Sequence, residues 1–334
     1  MRCLGDGDVQ EFARLQRLTV ALAEESGDPN LYMATAPGSY AFLGTGEFRE
    51  GLAVIDRALE LADGDPTVGT GVNYLCPFAW CYGFKGALLA LVGELDEGRR
   101  LVRRGAELAR EYGDVEILGF THLYDAYIAF LAGEPDAMVA SGRRALESAD
   151  RIGDAFSRAY ALLLLGFGLR LQGEWGAAID ALERSQALTA ATRTAVDLEA
   201  LRLALLGESR LALGEADRGR ALTAEAVALA AGKGQVTNEV YAHMARAHVL
   251  LAGGAPEDRA EAAAGLERAL TLSRAAEAKG HEPHVHVALA ALAQCSGDEA
   301  ARASALREAH RQFTAIGASA AAEALALTLD RPAV

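Results

Sequence analysis

The pair Gly-Glu returns along this chain at a nearly fixed interval, and that recurrence constrains the fold more than any other feature. LVGE holds Gly93 and Glu94, LAGE holds Gly133 and Glu134, LQGE holds Gly173 and Glu174, and ALGE holds Gly214 and Glu215. LGTGEF gives a variant at Gly46 and Glu47, and LAGGAPED and CSGDEA give looser ones around Gly254 and Gly297. The interval is 40 or 41 residues through the middle and 43 to 47 toward the ends. Seven units fit within 334 residues, the signature of a solenoid of stacked repeats.

Each unit repeats one internal logic. An apolar helix runs into the glycine, which ends it in a tight turn. The acidic residue then sits in the first turn of the returning helix, where its charge suits the helix dipole. In LQGEWGAAIDALERS, Ala178, Ile179, Leu182 and Ser185 recur at three- and four-residue steps, so the returning helix is amphipathic. A second breaker follows, usually Gly-Asp, at Gly27-Asp28, Gly64-Asp65, Gly113-Asp114 and Gly153-Asp154. Gly232, Gly280 and Gly317 are expected to take that role later, and Thr192 to Thr194 replace it once. The expectation is a single domain of hairpins at roughly 29–63, 71–112, 115–152, 155–192, 195–231, 235–279 and 283–316. Terminal helices are expected in 1–27 and 318–334.

Gly86, Gly166 and Gly207 each lie seven residues before a Gly-Glu turn, and Ala126 and Ala290 hold the same position. Glycine costs about 1 kcal/mol of helix propensity relative to alanine. Its repeated use at one position indicates that paired helices approach closely there.

Leu165-Gly166, Leu169, Gly173, Ala178 and Leu182 resemble the tetratricopeptide (TPR) pattern of paired helices. The period here exceeds the usual 34 of that repeat, which longer helices accommodate. The resemblance implies an all-α, right-handed α-solenoid of about seven TPR-like antiparallel helix pairs. EFREGLA at 47–53, EPHVH at 282–286 and EAHRQFT at 308–314 further resemble the C-terminal helical-repeat region of large bacterial signalling proteins. Those proteins add an ATPase module with a class III nucleotide cyclase or a helix-turn-helix domain. No cyclase, nucleotide-binding or DNA-binding segment is found in this sequence, so it is read as a free-standing relative or as one region of a larger protein.

With a net charge of −14, the surface repels phosphate backbones and argues against direct nucleic-acid binding. Cys3, Cys76, Cys81 and Cys295 show neither a disulfide framework nor a CxxC metal spacing, and the start lacks a secretory pattern. A cytoplasmic location is expected. The apolar run from Leu162 ends at Arg170, far short of the roughly 18 residues that a membrane span needs. The longer uncharged stretch, 67–84, is broken by Gly, Asn and Pro, so no span and no membrane partner is expected.

The search for chemistry is negative. No GxxxxGK[ST] phosphate loop, HExxH helix or GxSxG turn occurs. HEPHVH, His281 to His286, is the one dense polar cluster, and the better reading is a helix start at Pro283 with histidines capping or lining it. No catalytic residue, cofactor or metal is expected.

Six residues before each close-packing position lie Trp80, Phe120, Tyr160, Leu201, Tyr241 and His284, at spacings of 40, 40, 41, 40 and 43. Equivalent positions superimpose in a solenoid, so these large side chains form a ladder along the first-helix side. In the TPR resemblance that side lines a concave groove for peptides or helices. Tyr40, Tyr127, Phe167 and His248 lie one residue after their close-packing positions and extend the surface, with Arg170, Gln172 and Gln294 as polar contacts. The competing reading is that the ladder fills the seam between units. The stretch TVGTGVNYLCPFAWCYGF is read as an inserted loop with Tyr74, Phe78 and Tyr82 as candidate contacts, or as a stiffener of the first joint.

The leading functional expectation is a non-catalytic helical-repeat scaffold that binds a protein or peptide in bacterial signalling or transcriptional control. The alternative is a ligand-sensing regulatory segment of a multidomain nucleotide cyclase or transcriptional regulator, with a small-molecule ligand. A helical-repeat enzyme is the weakest reading. The scaffold predicts an open groove and the sensor an enclosed pocket. The weakly polar last helix leaves a homodimer open.

Overall fold

Each Gly-Glu pair serves two helices at once. In the computed structural model, which describes residues 7–71 and 76–329, Gly93 adopts a left-handed φ of 96°. The Glu94 N–H then reaches back to the Leu89 carbonyl at 2.8 Å, while the Glu94 carbonyl accepts from the Gly98 N–H at 2.9 Å. One residue therefore closes the first helix and opens the second. Glu134, Glu174 and Glu215 repeat both bonds. The acid sits at the helix boundary itself, one step earlier than the sequence suggests, and its side chain does not cap the helix. Its carboxylate is free to pair elsewhere, as Glu134 does with Arg99 of the preceding unit at 2.8 Å.

The Gly-Asp turns work differently because aspartate is short enough to cap its own helix. Asp114 accepts from the Ile117 N–H at 3.0 Å, and Asp154 from the Ser157 N–H at 2.6 Å. At the fifth unit glycine is absent, and Arg193 and Ala195 take positive φ values of 53° and 55° instead. The later breakers also shift. Gly234, and not Gly232, ends its helix at φ 62°, and Glu277 turns the chain ahead of Gly280.

Among the described residues the chain is helical, with no strand. Helix α1 spans Val9–Ser26. The first unit is α2 (Pro29–Thr35), a 3-10 turn (Ala36–Ser39), α3 (Tyr40–Thr45) and α4 (Phe48–Ala62). The pairs α5 (Pro77–Leu91) and α6 (Leu95–Glu111), α7 (Val115–Ala132) and α8 (Pro135–Ile152), and α9 (Ala155–Leu171) and α10 (Trp175–Thr192) follow. Then come α11 (Glu199–Ala212) and α12 (Ala216–Lys233), α13 (Val236–Gly253) and α14 (Pro256–Ala275), and α15 (Glu282–Cys295) and α16 (Glu299–Ala315), closed by α17 (Ser319–Leu329). This is a right-handed TPR-like α-solenoid of about seven antiparallel pairs. Helix α7 is long and apolar enough by composition to cross a membrane, which the search for uncharged runs passed over because of Glu116 and Asp125. Most of it is buried among its neighbours, as befits a core helix.

Within pairs, the small residues set the spacing. A Cβ on Gly86 would lie 2.4 Å from the Gly98 carbonyl, and one on Gly98 would lie 2.6 Å from the Gly86 carbonyl. Gly207 and Gly219 oppose each other the same way. The backbones touch, at a distance no side chain permits.

The superhelix closes on itself. Gly46 packs on Val236 and Ala276, Gly93 on Lys279 and Ile316, and Gly133 on Ala321. The glycines lie about 186 to 190 residues from Val236, Lys279 and Ala321 and about 223 to 230 from Ile316 and Ala276, so one superhelical turn takes about five units. Backbone and side chains stitch the two turns together: Gly280 N–H donates to the Leu91 carbonyl at 2.9 Å, the Thr237 hydroxyl to the Leu43 carbonyl at 2.6 Å, and Arg49 pairs with Glu277 at 3.1 Å.

Gly86→Ala should cost about 1–3 kcal/mol, because the helices must part to admit the methyl group. Gly173→Ala meets nothing within 4 Å and should cost only the left-handed backbone penalty, about 1–2 kcal/mol. Urea denaturation of both variants checks the order. A Gly86 variant as stable as the parent would contradict the backbone contact.

Candidate functional site

First helices face the superhelix axis, and the ladder positions meet there. Because the second superhelical turn covers the first, most of these side chains are buried. Trp80 is 3% exposed and stacks on Phe84 with centroids 4.6 Å apart. Half-buried Phe120 stacks on Tyr124 and tilts against Phe156. Tyr160, Leu201 and Tyr241 are buried, and His284 stacks on Phe130 at 4.7 Å and meets Phe313 edge-on. Trp80 and Phe120 therefore do not line an open groove; they fill the aromatic interior. Phe78 and Tyr82 belong to α5 and pack edge-on at 5.2 Å, with Phe78 buried, so neither projects from an inserted loop. Tyr74 lies outside the described residues. Gln172 is exposed and bonded to Asp136.

The other candidates gather around two spaces. The first is a partly enclosed chamber of about 50 Å³ on the axis. Tyr40, Phe84, Tyr124, Tyr127, Tyr160, Phe167, Leu201 and Tyr241 line it. Besides the tyrosine hydroxyls, its polar side chains are Asp197, Thr237, Asn238 and His281. The Tyr40 hydroxyl donates to Asp197 Oδ2 at 2.8 Å, and the Asn238 amide donates to the Asp197 carbonyl at 2.8 Å. Asp197 Oδ1 has no hydrogen-bonding partner. Burial pushes the Asp197 carboxyl up to about 6, against the Tyr40 hydrogen bond that pulls it down. Across the chamber, Tyr127 and His281 Nε2 share a 2.7 Å bond. Burial and the neighbouring His284 lower His281 to about 3, so its ring is neutral near pH 7.

The second space is an open groove of about 480 Å³ between α9, α11, α13 and α15. Leu171, Met244, Leu251, Val287 and Ala291 make its walls. At its floor Arg170 stands 3.4 Å from Glu208 and 5.3 Å above the Phe167 ring. Tyr241 donates to Glu208 at 2.9 Å, and exposed His248 pairs with the other carboxylate oxygen at 2.9 Å. Burial alone would raise Glu208, yet Arg170, His248 and Tyr241 together hold it below the usual carboxylate range. Glu208 in turn raises His248. The Arg170 Nε is buried with no partner. Phe130 and Tyr241 form the partition between groove and chamber.

Sequence reasoning missed Asp197, Asn238, Phe130, Met244 and Glu208. Glu208 had a signal: it follows Gly207 directly, the register that singles out Tyr127, Phe167 and His248. Asp197 lies just after the one boundary without a glycine. Among the described residues no group of three or more His, Cys, Asp or Glu side chains is placed to hold a metal.

No family model matches the chain, and no curated protein does. Among solved structures it is similar to a Rap protein complexed with competence and sporulation factor, at 14% identity and a TM-score of 0.57, covering 97% of this chain and 96% of that one. It is similar also to the Cut9–Hcn1 hetero-tetramer of the APC/C, at 16% identity and a TM-score of 0.52, covering 94% of this chain and 59% of that one. A signal transduction ATPase with a tetratricopeptide repeat sensor from Pyrococcus horikoshii matches at 15% identity and a TM-score of 0.47, the chain spanning 46% of its length. At these identities the first two likenesses show the α-solenoid fold alone.

The Asp197 carboxyl titrates near 3.8 when unfolded and near 6 when folded. Between those values the native state binds the extra proton, so stability falls as pH rises through that window and stays lower above it. The shift corresponds to roughly 3 kcal/mol. Asp197→Asn should therefore gain on the parent as pH rises from 4 to 7 and then level off, read by urea denaturation across that range. A constant difference across that range would show that the Asp197 carboxyl titrates in the fold as it does in the unfolded chain.

Proposed function

We propose that this chain is a non-catalytic α-solenoid scaffold that binds a peptide, or a segment of a partner protein, in the groove between α9, α11, α13 and α15. One observation carries the reading: the apolar walls open over a buried arginine whose Nε has no partner. A side chain from the partner fills the apolar walls, and a carbonyl or carboxylate oxygen accepts from Arg170. Buried donors without acceptors cost about 1–3 kcal/mol, so an oxygen delivered there contributes both affinity and orientation. The Rap structure's complexed factor and the Cut9–Hcn1 assembly agree with this role for a related architecture.

A place in bacterial signalling or transcriptional control, in the cytoplasm, is supported by the sequence resemblance to cyclase and ATPase regulators. The coding sequence beside this one tests it, since a cyclase, ATPase or helix-turn-helix module there would fix the context. The enclosed chamber favours a second reading, a ligand-sensing segment.

Selection of peptides from a random display library on the immobilised chain tests the groove. Val287 and Ala291 are exposed in its wall, so Val287→Glu with Ala291→Glu fills it with charge at little cost to folding. Selected peptides should lose at least about tenfold in affinity for that variant, roughly 1.4 kcal/mol. Arg170→Met should weaken peptides that depend on a free carboxylate most. Unchanged affinity for the folded double variant would place the binding surface elsewhere.

A further inference from the structure

The chamber on the axis is walled by rings and, among the described residues, carries a single acidic side chain. Asp197 is only 5% exposed, and Tyr40 and Asn238 fix its position. Its Oδ1 nevertheless makes no hydrogen bond to another residue. Among the described residues no lysine or arginine lines the space. Arg202, the cation whose field reaches Asp197, is held by Glu199, Ser185 and Thr189. His281 bonds Tyr127 and is neutral. A carboxylate oxygen offers only acceptor capacity, and it repels anions. The surrounding ring faces of Tyr160, Tyr124 and Phe84 attract positive charge through their quadrupoles. His281 Nδ1 is also buried without a partner, but the acidic acceptor, the aromatic rings and the absence of a lining cation among the described residues favour a cation.

We propose that this chamber binds a small organic ammonium ion, a primary amine that donates to Asp197 Oδ1 while its carbons lie against Tyr160, Tyr124 and Phe84. A space of about 50 Å³ suits a short aliphatic amine, or the amino end of a longer one, and excludes a sugar or a nucleobase. The lining residues are half-exposed at Phe12, Leu43 and Thr237, where α1 and α3 meet α13, and the amine enters there.

The backbone accounts for the position of Asp197. Asp197 follows two non-glycine residues with positive φ, Arg193 and Ala195, whereas Asp63 and Glu277 take such a conformation singly at other turns. Such conformations cost energy and persist where surrounding structure holds them. Here they swing Asp197 onto the axis.

The occupant also lies at the joint between superhelical turns. Tyr40 and Phe84 belong to the first turn, and Asn238, Tyr241 and His281 belong to the second. An amine seated among them fastens the turns. Tyr241 carries that state to the groove, because its ring lines the chamber while its hydroxyl bonds Glu208. The inference deepens the ligand-sensing reading and is independent of whether peptides occupy the groove.

Titration calorimetry and thermal shift with ethylammonium, and with ethanol as its neutral counterpart, test the proposal at pH 7.5. The parent should show saturable ethylammonium binding and a rise in Tm, with no response to ethanol. Asp197→Asn, checked for parental circular dichroism, should bind ethylammonium at least tenfold more weakly, and Tyr160→Leu should weaken it while leaving the fold intact. Equal binding by Asp197→Asn, equal stabilisation by ethanol, or no binding of ethylammonium by the parent would each overturn it. Peptide affinity measured with and without saturating amine separates the two ideas: no change would retire the ligand-sensing reading and leave the amine site standing.

Discussion

The structure depends on one contact, repeated three times: the turns of the early units press against the late units one superhelical turn away. Gly46, Gly93 and Gly133 meet Val236, Lys279 and Ala321 at distances that leave no room for a side chain. The equivalent Gly173 and Gly214 meet nothing, because no further turn lies beneath them. A solenoid that stayed open would expose its first-helix face as one long groove. This one closes after about five units and turns that face into an interior.

Closure explains why the aromatic positions are buried and why polar groups are stranded beside them. Two superhelical turns bring Tyr40 to Asp197 and Tyr127 to His281 across separations of 157 and 154 residues. Burial then sets their chemistry: it raises the Asp197 carboxyl and keeps His281 neutral. Beyond the covered stretch, α9, α11, α13 and α15 still present an open face, and there Arg170, Glu208, His248 and Tyr241 form a connected network with access to solvent. A closed interior and an open groove thus follow from one geometric fact. They share the Phe130 and Tyr241 wall.

The hairpins were legible in the sequence because their determinants are local. A glycine followed by glutamate, or by aspartate, dictates a turn through hydrogen bonds spanning five residues or fewer, so Gly93, Gly133 and Gly173 announce themselves. Gly86 and Gly207 were legible for a similar reason, since paired helices are neighbours in sequence. Superhelical pitch is different: it accumulates from small rotations between units, and no single residue encodes it. The periodic spacing of Trp80, Phe120, Tyr160 and Tyr241 therefore shows that they share one side of the first helices, and not that the next superhelical turn buries them. Thr192 to Thr194 marked an irregular boundary, but only the fold shows that the irregularity delivers Asp197 to the axis. Glu208 was readable from register alone and was hidden by its charge, which a buried ladder does not lead one to expect.

The account stands or falls on closure of the superhelix. Arg49 and Glu277, 228 residues apart, are exposed and paired across the two turns at 3.1 Å. Replacing both with cysteine, with Cys3 and Cys295 changed to serine, puts that contact within reach of a short thiol cross-linker on the monomer. The closed superhelix predicts rapid, near-complete intramolecular cross-linking at dilute protein, mapped to peptides holding residues 49 and 277. A folded monomer that labels at both cysteines but does not cross-link would show that the turns do not meet, and would contradict the chamber with them.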